Sequence, residues 1–248
     1  VFTVFTVDFF VAVPAARTAL AYAAAVSIVA GSALAVLQSE IKRMLAYSSV
    51  SQFGMIVAAV AIATESAAVG GLVHLLGHAV IKGGLFAAAG VVAARTGART
   101  LDDYAGLAGR APVAAGAVAV LGLALVGVPP AVGFVGKWYI AVGAVRSGTW
   151  VVAAVILAST LLTLAYVARV VERMYFAEAP AQTAEPTPGA VSTDGGQPPA
   201  TEEGDELPVS PGMIAVVVVA AVAAVALGFA APGIESLLEP TLAEVFGA

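Results

Sequence analysis

Residues 113–145 read VAAGAVAVLGLALVGVPPAVGFVGKWYIAVGAV, an apolar run of 33 residues with Val128-Pro129-Pro130 in its middle. The halves on either side have 15 residues each. As helices they would be about 22 Å long, which is shorter than the roughly 30 Å hydrocarbon core of a bilayer. Proline removes an amide donor and clashes with the preceding turn, and Gly133 loosens the backbone further. The stretch therefore predicts a single membrane crossing made by a discontinuous helix, broken at Pro129, Pro130 and Gly133.

Composition extends the membrane assignment to the whole chain. Of its 248 residues, 60% are hydrophobic and 11% are charged, with a mean hydropathy of +0.99, whereas a soluble domain has about 25% charged residues. Apolar runs alternate with short polar segments, which predicts an all-α integral membrane protein. Six transmembrane helices plus the end of a seventh are predicted: 1–13 for the end of the earlier helix, then 18–37, 46–63, 69–94, 113–145, 150–176 and 213–230.

One segment, 178–211, differs from the rest in composition. It holds seven of the 16 acidic residues and seven of the 13 prolines, and it has no lysine or arginine. Because it cannot bury enough apolar surface to offset its chain entropy, we predict a disordered acidic loop. This loop separates a transmembrane domain at 1–177 from the last transmembrane helix and C-terminus at 212–248. The chain begins at Val1 inside an apolar segment, so we expect a fragment that lacks its N-terminal portion.

Basic residues are distributed unequally between the two sides of the predicted bundle. If the crossings alternate, one side receives seven lysines and arginines and the other receives two. This positive-inside pattern predicts a multi-pass plasma-membrane protein with the acidic loop in the cytoplasm and the C-terminus outside. Treating 113–145 as two crossings would remove the asymmetry, which independently favours one broken crossing. The seven are Lys42, Arg43, Arg95, Arg99, Arg110, Arg169 and Arg173, and the two are Arg17 and Arg146.

The chain has three lysines, and two of them fall inside apolar crossings. Burial can make a lysine release its proton, whereas an arginine stays protonated, so buried lysines suit proton transfer. Lys137 follows the proline break, where unwound backbone can line a water-filled cavity and offer free carbonyls. In the alternative interpretation, Lys137 extends to the membrane interface beside Trp138 and Tyr139, as in an aromatic belt.

His74, His78 and Lys82 recur at every fourth position of the third crossing and so lie on one helix face. Successive members are about 6 Å apart along the axis, which one or two waters can bridge, and histidine accepts and donates protons near neutral pH. The stripe therefore predicts a proton relay. Two histidines in this spacing are also half of a zinc site, but the chain has no cysteine and no carboxylate shares the stripe. A buried structural pair is the other alternative; we predict no metal and no cofactor.

Lys42 lies in a polar turn before the second crossing. A positive-inside anchor explains Lys42 and Arg43. The helix start that follows is unusually polar, with Ser48, Ser51 and Gln52. Lys42 is therefore also a candidate for the beginning of the proton path.

Three segments together resemble a known family. QSEIKRMLAYSSVSQFG at 38–54, HLLGHAVIKGGLFAAAG at 74–90 and GVPPAVGFVGK at 127–137 are similar to signature segments of a family of antiporter-like subunits. These subunits occur in respiratory complex I, membrane hydrogenases and Mrp-type Na⁺/H⁺ antiporters. Within the family, GKWY at 136–139 and LAYVARVVERMY at 164–175 are most similar to the D-type component of Mrp antiporters.

The resemblance implies a fold of fourteen transmembrane helices in two inverted repeats, each with one broken helix. This chain would supply the second half, from the end of helix eight to helix fourteen. The resemblance also implies that Lys137 is the terminal lysine of the second half-channel, and that His74, His78 and Lys82 form the central hydrophilic relay. The family's first half-channel would be missing, which argues against full transport by this chain alone.

The function that follows is a proton- or cation-translocating subunit of a multisubunit Mrp-type Na⁺/H⁺ antiporter, with a path through Lys137, Lys82, His78, His74 and Lys42. Its partners would be the other subunits of the membrane complex. The transported ion would be H⁺ or Na⁺, and we predict no nucleic-acid binding. One alternative is a proton-pumping subunit of a complex I-type NADH-quinone oxidoreductase or membrane hydrogenase. Another is a non-conducting scaffold or truncated remnant. We expect a transporter subunit without catalytic residues rather than an enzyme; in a complex I-type assembly it would be a translocase subunit without redox centres of its own.

Overall fold

The structure is a computed structural model that describes residues 7–179 and 210–246. In these two ranges every regular element is a helix, and one isolated bridge joins Glu40 to Thr100. The helices are α1 (Val7–Ala12), α2 (Pro14–Val36), α3 (Ile41–Ile62), α4 (Glu65–Thr96), α5 (Leu107–Arg110), α6 (Pro112–Val126), α7 (Val132–Arg146), α8 (Trp150–Phe176) and α9 (Pro211–Phe246).

The membrane crossings lie where the hydropathy pattern predicts them. Within the described residues, five helices are long and apolar enough to span a bilayer, namely α2, α3, α4, α8 and α9. The helices α6 and α7, with 15 residues each, replace the predicted broken crossing. The all-α membrane fold with one discontinuous helix is therefore confirmed. The predicted acidic loop at 178–211 falls almost entirely outside the described residues, and the predicted earlier helix at 1–13 is described only from residue 7.

The break between α6 and α7 is formed by a turn and a close backbone contact. Helix α6 ends at Gly127, whose φ of 94° is a left-handed conformation that favours glycine. Six residues later, a Cβ atom on Gly133 would collide with the carbonyl oxygen of Ala124. The first turn of α7 therefore lies beside the last turn of α6.

Helix α4 is the central helix of the bundle and packs against α3, α6, α7 and α9. The larger hydrophobic core lies among α3, α4, α6, α8 and α9, and a smaller one lies among α2, α3, α7 and α8. The contact with α7 brings the broken helix against the face of α4 that carries the histidines.

The loops gather the predicted basic residues at one end of the bundle, which we call the basic end. There the backbone of residues 39–41 pairs with that of 99–101, Arg169 donates to the carbonyl of Val36 at 2.6 Å, and Arg173 lies 3.4 Å from the carboxylate of Asp102. At the opposite end, Arg17 donates to the last carbonyls of α3, with both distances 2.9 Å. The division of charge between two ends agrees with alternating crossings.

Helix α9 is longer than predicted. The apolar run predicts a crossing that ends at residue 230, but the helix continues through Pro232 and Pro240 to Phe246. Leu242 near its end is 5% exposed and belongs to the larger core. Tertiary packing therefore outweighs the helix-breaking tendency of the two prolines.

Candidate functional site

The predicted stripe on α4 is buried inside the bundle. His74, His78 and Lys82 are 3%, 6% and 5% exposed. The two histidine rings stack with their centroids 6.4 Å apart, and the ring of Phe53 from α3 contacts His78 edge-on at 5.1 Å. Among the described residues, no group of three or more histidine, aspartate or glutamate side chains could hold a metal ion.

The ammonium group of Lys82 is bound by α3. It donates to the carbonyl oxygen of Leu45 at 2.7 Å and to the hydroxyl of Ser48. The same carbonyl accepts hydrogen bonds from the Ser48 and Ser49 hydroxyls at 2.9 and 3.1 Å. In the part of the chain that the structure describes, no carboxylate forms an ion pair with Lys82. The amine is thus held by neutral oxygen atoms.

His74 connects α4 to α3 through a buried side-chain hydrogen bond. Its Nε2 atom lies 2.9 Å from Oε1 of Gln52. The Nδ1 atoms of His74 and His78 and the Nε2 atom of Gln52 are buried without a hydrogen-bond partner in the described residues. Because an unpaired polar group in a membrane interior costs free energy, these atoms mark positions where water would bind.

Lys137 lies on α7 just after the break, and its side chain points back towards α6. It is 6% exposed, and its ammonium donates to the carbonyl oxygens of Leu125 and Val126 at 2.8 and 2.9 Å. The last four carbonyls of a helix lack the amide donors of a following turn. In α6 the amides of Gly127 and Val128 bind the first two of these carbonyls, and Lys137 binds the last two. The negative end of the helix dipole adds to the attraction. The break therefore creates the binding site of the lysine.

The side chain of Lys137 does not extend to the membrane interface, which was the alternative interpretation of its sequence. Trp138, the next residue, is 57% exposed, whereas Lys137 is directed into the protein. A Cβ atom on Gly136 would lie 2.7 Å from the Cα of His74, so α4 and α7 touch at this level and only glycine fits. The contact brings the start of α7, which carries Lys137, against the histidine stripe.

Lys42 lies apart from these residues. It is exposed at the start of α3 and lines a surface cleft of about 160 Å³ together with Glu40 and Arg99. Of the five predicted path residues, the structure brings His74, His78, Lys82 and Lys137 together inside the bundle and leaves Lys42 at the basic end.

A group of buried hydroxyls, which the sequence pattern does not bring together, adds to the polar interior. Ser32, Ser51 and Ser159, from three different helices, form a triangle of hydrogen bonds with oxygen–oxygen distances of 2.7, 2.7 and 3.0 Å. Thr163 is fully buried one turn beyond Ser159 and donates to its carbonyl at 2.8 Å. The available sequence signal is the spacing of Ser159, Thr163 and Tyr166, which places three polar residues on one face of α8.

The fold, the broken helix and the buried lysines define an antiporter-like integral membrane subunit. Residues 1–163 match the profile of the family described as NADH:quinone oxidoreductase/Mrp antiporter, TM. The chain belongs to this family. NADH-quinone oxidoreductase subunit N of Desulforudis audaxviator (strain MP104C) is 40% identical over 209 residues, which are 84% of this chain and 40% of the relative. The chain therefore spans less than half the length of this relative.

Two solved structures show the same fold. A chain of respiratory complex I from Thermus thermophilus with bound NADH aligns with a TM-score of 0.73 and 27% identity, covering 97% of this chain and 46% of that one. A chain of the Mrp complex from Dietzia sp. DQ12-45-1b aligns with a TM-score of 0.78 and 24% identity, covering 93% and 47%. At 24% identity the second likeness shows the fold alone.

The predicted similarity to the D-type component of Mrp antiporters in particular is not supported. The relative that covers 84% of the chain is a subunit N of NADH-quinone oxidoreductase. The short segments GKWY and LAYVARVVERMY therefore do not distinguish the two branches of the family.

Proposed function

We propose that this chain forms part of a proton-translocating membrane subunit in a complex I-type quinone oxidoreductase. Protons pass through Lys82, His78, His74 and Lys137, and other subunits of the assembly supply the electron transfer that drives them. The proposal rests on one observation: two lysine ammonium groups are buried, and both donate hydrogen bonds to neutral oxygen atoms. The sequence similarity to a subunit N supports this assembly rather than an Mrp-type antiporter.

The two lysines suit a relay because their charges interact. Lys82 and Lys137 are close enough for the positive charge of one to act on the other, and neither has a carboxylate partner among the described residues. Charging both at once in a low-dielectric interior is more costly than charging one. Arrival of a proton at one lysine therefore favours release from the other.

The histidines connect the two amines. A neutral imidazole accepts a proton at one nitrogen and donates from the other. The stacked rings of His74 and His78 do not hydrogen-bond to each other directly, and each has an unpartnered Nδ1 atom among the residues described. Water bound at these atoms would complete the path from Lys82 to the level of Lys137.

The orientation of the subunit is part of the proposal. The basic end would lie in the cytoplasm of a plasma membrane, and the excess of lysine and arginine at that end supports this orientation. Residues 1–248 contain no cysteine, so Arg99→Cys at the basic end and Arg146→Cys at the opposite end each add one labelling site to this part of the protein. A membrane-impermeant maleimide should label only Arg146→Cys from outside intact cells. Labelling of Arg99→Cys instead would reverse the orientation.

The test of translocation uses everted membrane vesicles that contain the complete assembly. NADH-driven proton uptake and quinone reduction are measured on the same vesicles for wild type, Lys137→Met and Lys82→Met. Both variants should lose proton uptake through this subunit while the complex remains assembled. Arg146→Gln, which changes an exposed cation on the same helix as Lys137, is the matched control and should behave as wild type.

The other interpretations give different outcomes. Na⁺-dependent proton exchange without NADH-linked uptake, abolished by Lys137→Met, would identify an Mrp-type antiporter. Wild-type proton movement in both lysine variants, with normal assembly, would identify a non-conducting scaffold and overturn the proposal.

A further inference from the structure

A small cavity lies between the two lysine sites. It has a volume of about 30 Å³, enough for one or two water molecules. Leu45 and Leu125, whose carbonyls bind Lys82 and Lys137, both line it. Of its thirteen lining residues, Tyr104 and Tyr166 are the two with a polar side-chain group. The cavity is thus apolar except at two hydroxyls.

The hydroxyl of Tyr166 is the unusual group in this cavity. The residue is 2% exposed, and its hydroxyl oxygen has no hydrogen-bond partner among the described residues. It is nevertheless close enough to interact with the side chains of Ser48 and Thr163. Ser48 in turn accepts a hydrogen bond from Lys82. An unsatisfied hydroxyl therefore lies between the cavity and the lysine.

The other side of the cavity adjoins the surface. The cleft at the basic end, which holds Glu40 and Lys42, shares three lining residues with the cavity: Ile41, Ala89 and Tyr104. Each of the three is at most 5% exposed. The cleft and the cavity that reaches Tyr166 are therefore neighbours, with these three side chains between them.

We propose that this cavity is a proton-uptake route from the basic end to Lys82, and that Tyr166 binds the water that carries the proton. The proposal rests on the proposed function, since it assigns Lys82 a donor. A hydrated proton crosses the cavity, passes through the Ser48 hydroxyl, and is taken up by the neutral amine of Lys82. Water and Ser48 each lose the proton they gain, and Tyr166 stays neutral as donor and acceptor.

The apolar lining makes hydration the controlling step. A water molecule needs two to four polar partners to remain in a buried site, and the cavity offers the two tyrosine hydroxyls. A constriction of this kind conducts when it is wet and blocks when it is dry. Removing a hydroxyl should therefore close the route, and adding one should open it.

Two substitutions on α8 test these opposite effects with little change of shape. Tyr166→Phe removes the water-binding hydroxyl and should slow NADH-driven proton uptake about fivefold, the factor for one ordinary hydrogen bond. Val170→Thr adds a hydroxyl to the cavity wall and should speed the decay of an imposed pH gradient several-fold. Tyr175→Phe and Val151→Thr are the matched controls, because both residues are exposed on the same helix.

All rates are expressed per assembled complex, so that a loss of subunit is not read as a loss of transport. Wild-type rates in either Tyr166→Phe or Val170→Thr, while Lys137→Met abolishes uptake, would overturn the route and leave the proposed function standing. Wild-type uptake in Lys137→Met and Lys82→Met would instead overturn the proposed function.

Discussion

Lys82 and Lys137 are both buried lysines in membrane-crossing helices, but the backbone holds them differently. Lys82 lies on a continuous helix and binds the carbonyl of Leu45 near the start of α3, where the helix already supplies an amide donor. Lys137 binds two carbonyls that the helix break has left without donors. Lys82 therefore adds a hydrogen bond to a carbonyl that already has donors, whereas Lys137 supplies the donors that two carbonyls lack. Only the second should be required for the fold.

The largest expected effect is on the stability of the break. Lys137→Met removes the donor to Leu125 and Val126, and each unsatisfied buried carbonyl costs about 1–3 kcal/mol. We expect a loss of about 2–6 kcal/mol, seen as a lower midpoint temperature for release of the subunit from the detergent-solubilised complex.

Lys137→Arg separates the two roles of this lysine. Guanidinium keeps donors near the two carbonyls but does not release its proton. The variant should recover most of the stability while proton uptake stays abolished. A Lys137→Met complex as stable as wild type would show that Lys137 does not stabilise the helix break.

A second, smaller effect tests the contact between α4 and α7. Gly136→Ala places a methyl group 2.7 Å from the Cα of His74, and overpacking of this kind typically costs about 1–3 kcal/mol. The thermal midpoint should fall, and proton uptake should fall with it because Lys137 moves away from the stripe. Gly83→Ala on α4 is the control, since nothing lies within 4 Å of its added Cβ. Equal midpoints for the two variants would contradict the close approach.

Replacing Lys82 should abolish proton uptake but hardly change the stability of the complex. Lys82→Met leaves the carbonyl of Leu45 with its helical amide donor and two serine hydroxyls. The stability should therefore change by less than about 1 kcal/mol, although proton uptake is lost. A destabilisation as large as that of Lys137→Met would show that the two lysines do not differ in structural role.

The smallest effect is expected in the loop at the basic end, which contacts neither lysine. The amides of Arg99 and then Thr100 donate to the Asp103 carboxylate at 3.0 and 2.8 Å and hold its pKa below the ordinary value of 3.8. Because the folded pKa is lowered, the contribution of Asp103 is present above about pH 4 and is lost as the pH falls through the folded pKa.

Asp103→Ala should cost a few tenths of a kcal/mol, as expected for a largely solvated carboxylate. Hydrogen exchange at the Arg99 and Thr100 amides should become faster and should lose its dependence on acid pH. Unchanged exchange at both amides would show that the carboxylate does not order the loop.

Much of the site follows from local sequence patterns. The proline pair follows the end of α6, because proline lacks an amide donor and clashes with the preceding turn. The spacing of His74, His78 and Lys82 places them on one face of α4 through helical geometry alone. Hydropathy predicts the long crossings, since the cost of exposing backbone polar groups to lipid allows few other solutions. These are properties of single helices.

The hydrogen-bond partners of the buried polar groups cannot be predicted from local sequence patterns. Ser32 and Ser159 are 127 residues apart in the sequence, and their hydrogen bond depends on how α2 and α8 are rotated about their axes. The same holds for the bond of His74 to Gln52 and for the cavity beside Tyr166. Sequence periodicity defines the polar face of one helix but carries no information about which neighbour meets it.

Taken alone, the sequence determined the helices, the broken crossing, the family resemblance and the choice of lysine and histidine as the interior polar residues. It left open whether Lys137 extends to the surface or turns inward, how far α9 continues, and whether Lys42 joins the buried residues. Tertiary structure decided these points, because each depends on packing between helices: two free carbonyls attract Lys137, core contacts extend α9 beyond Pro232, and the start of α3 leaves Lys42 exposed.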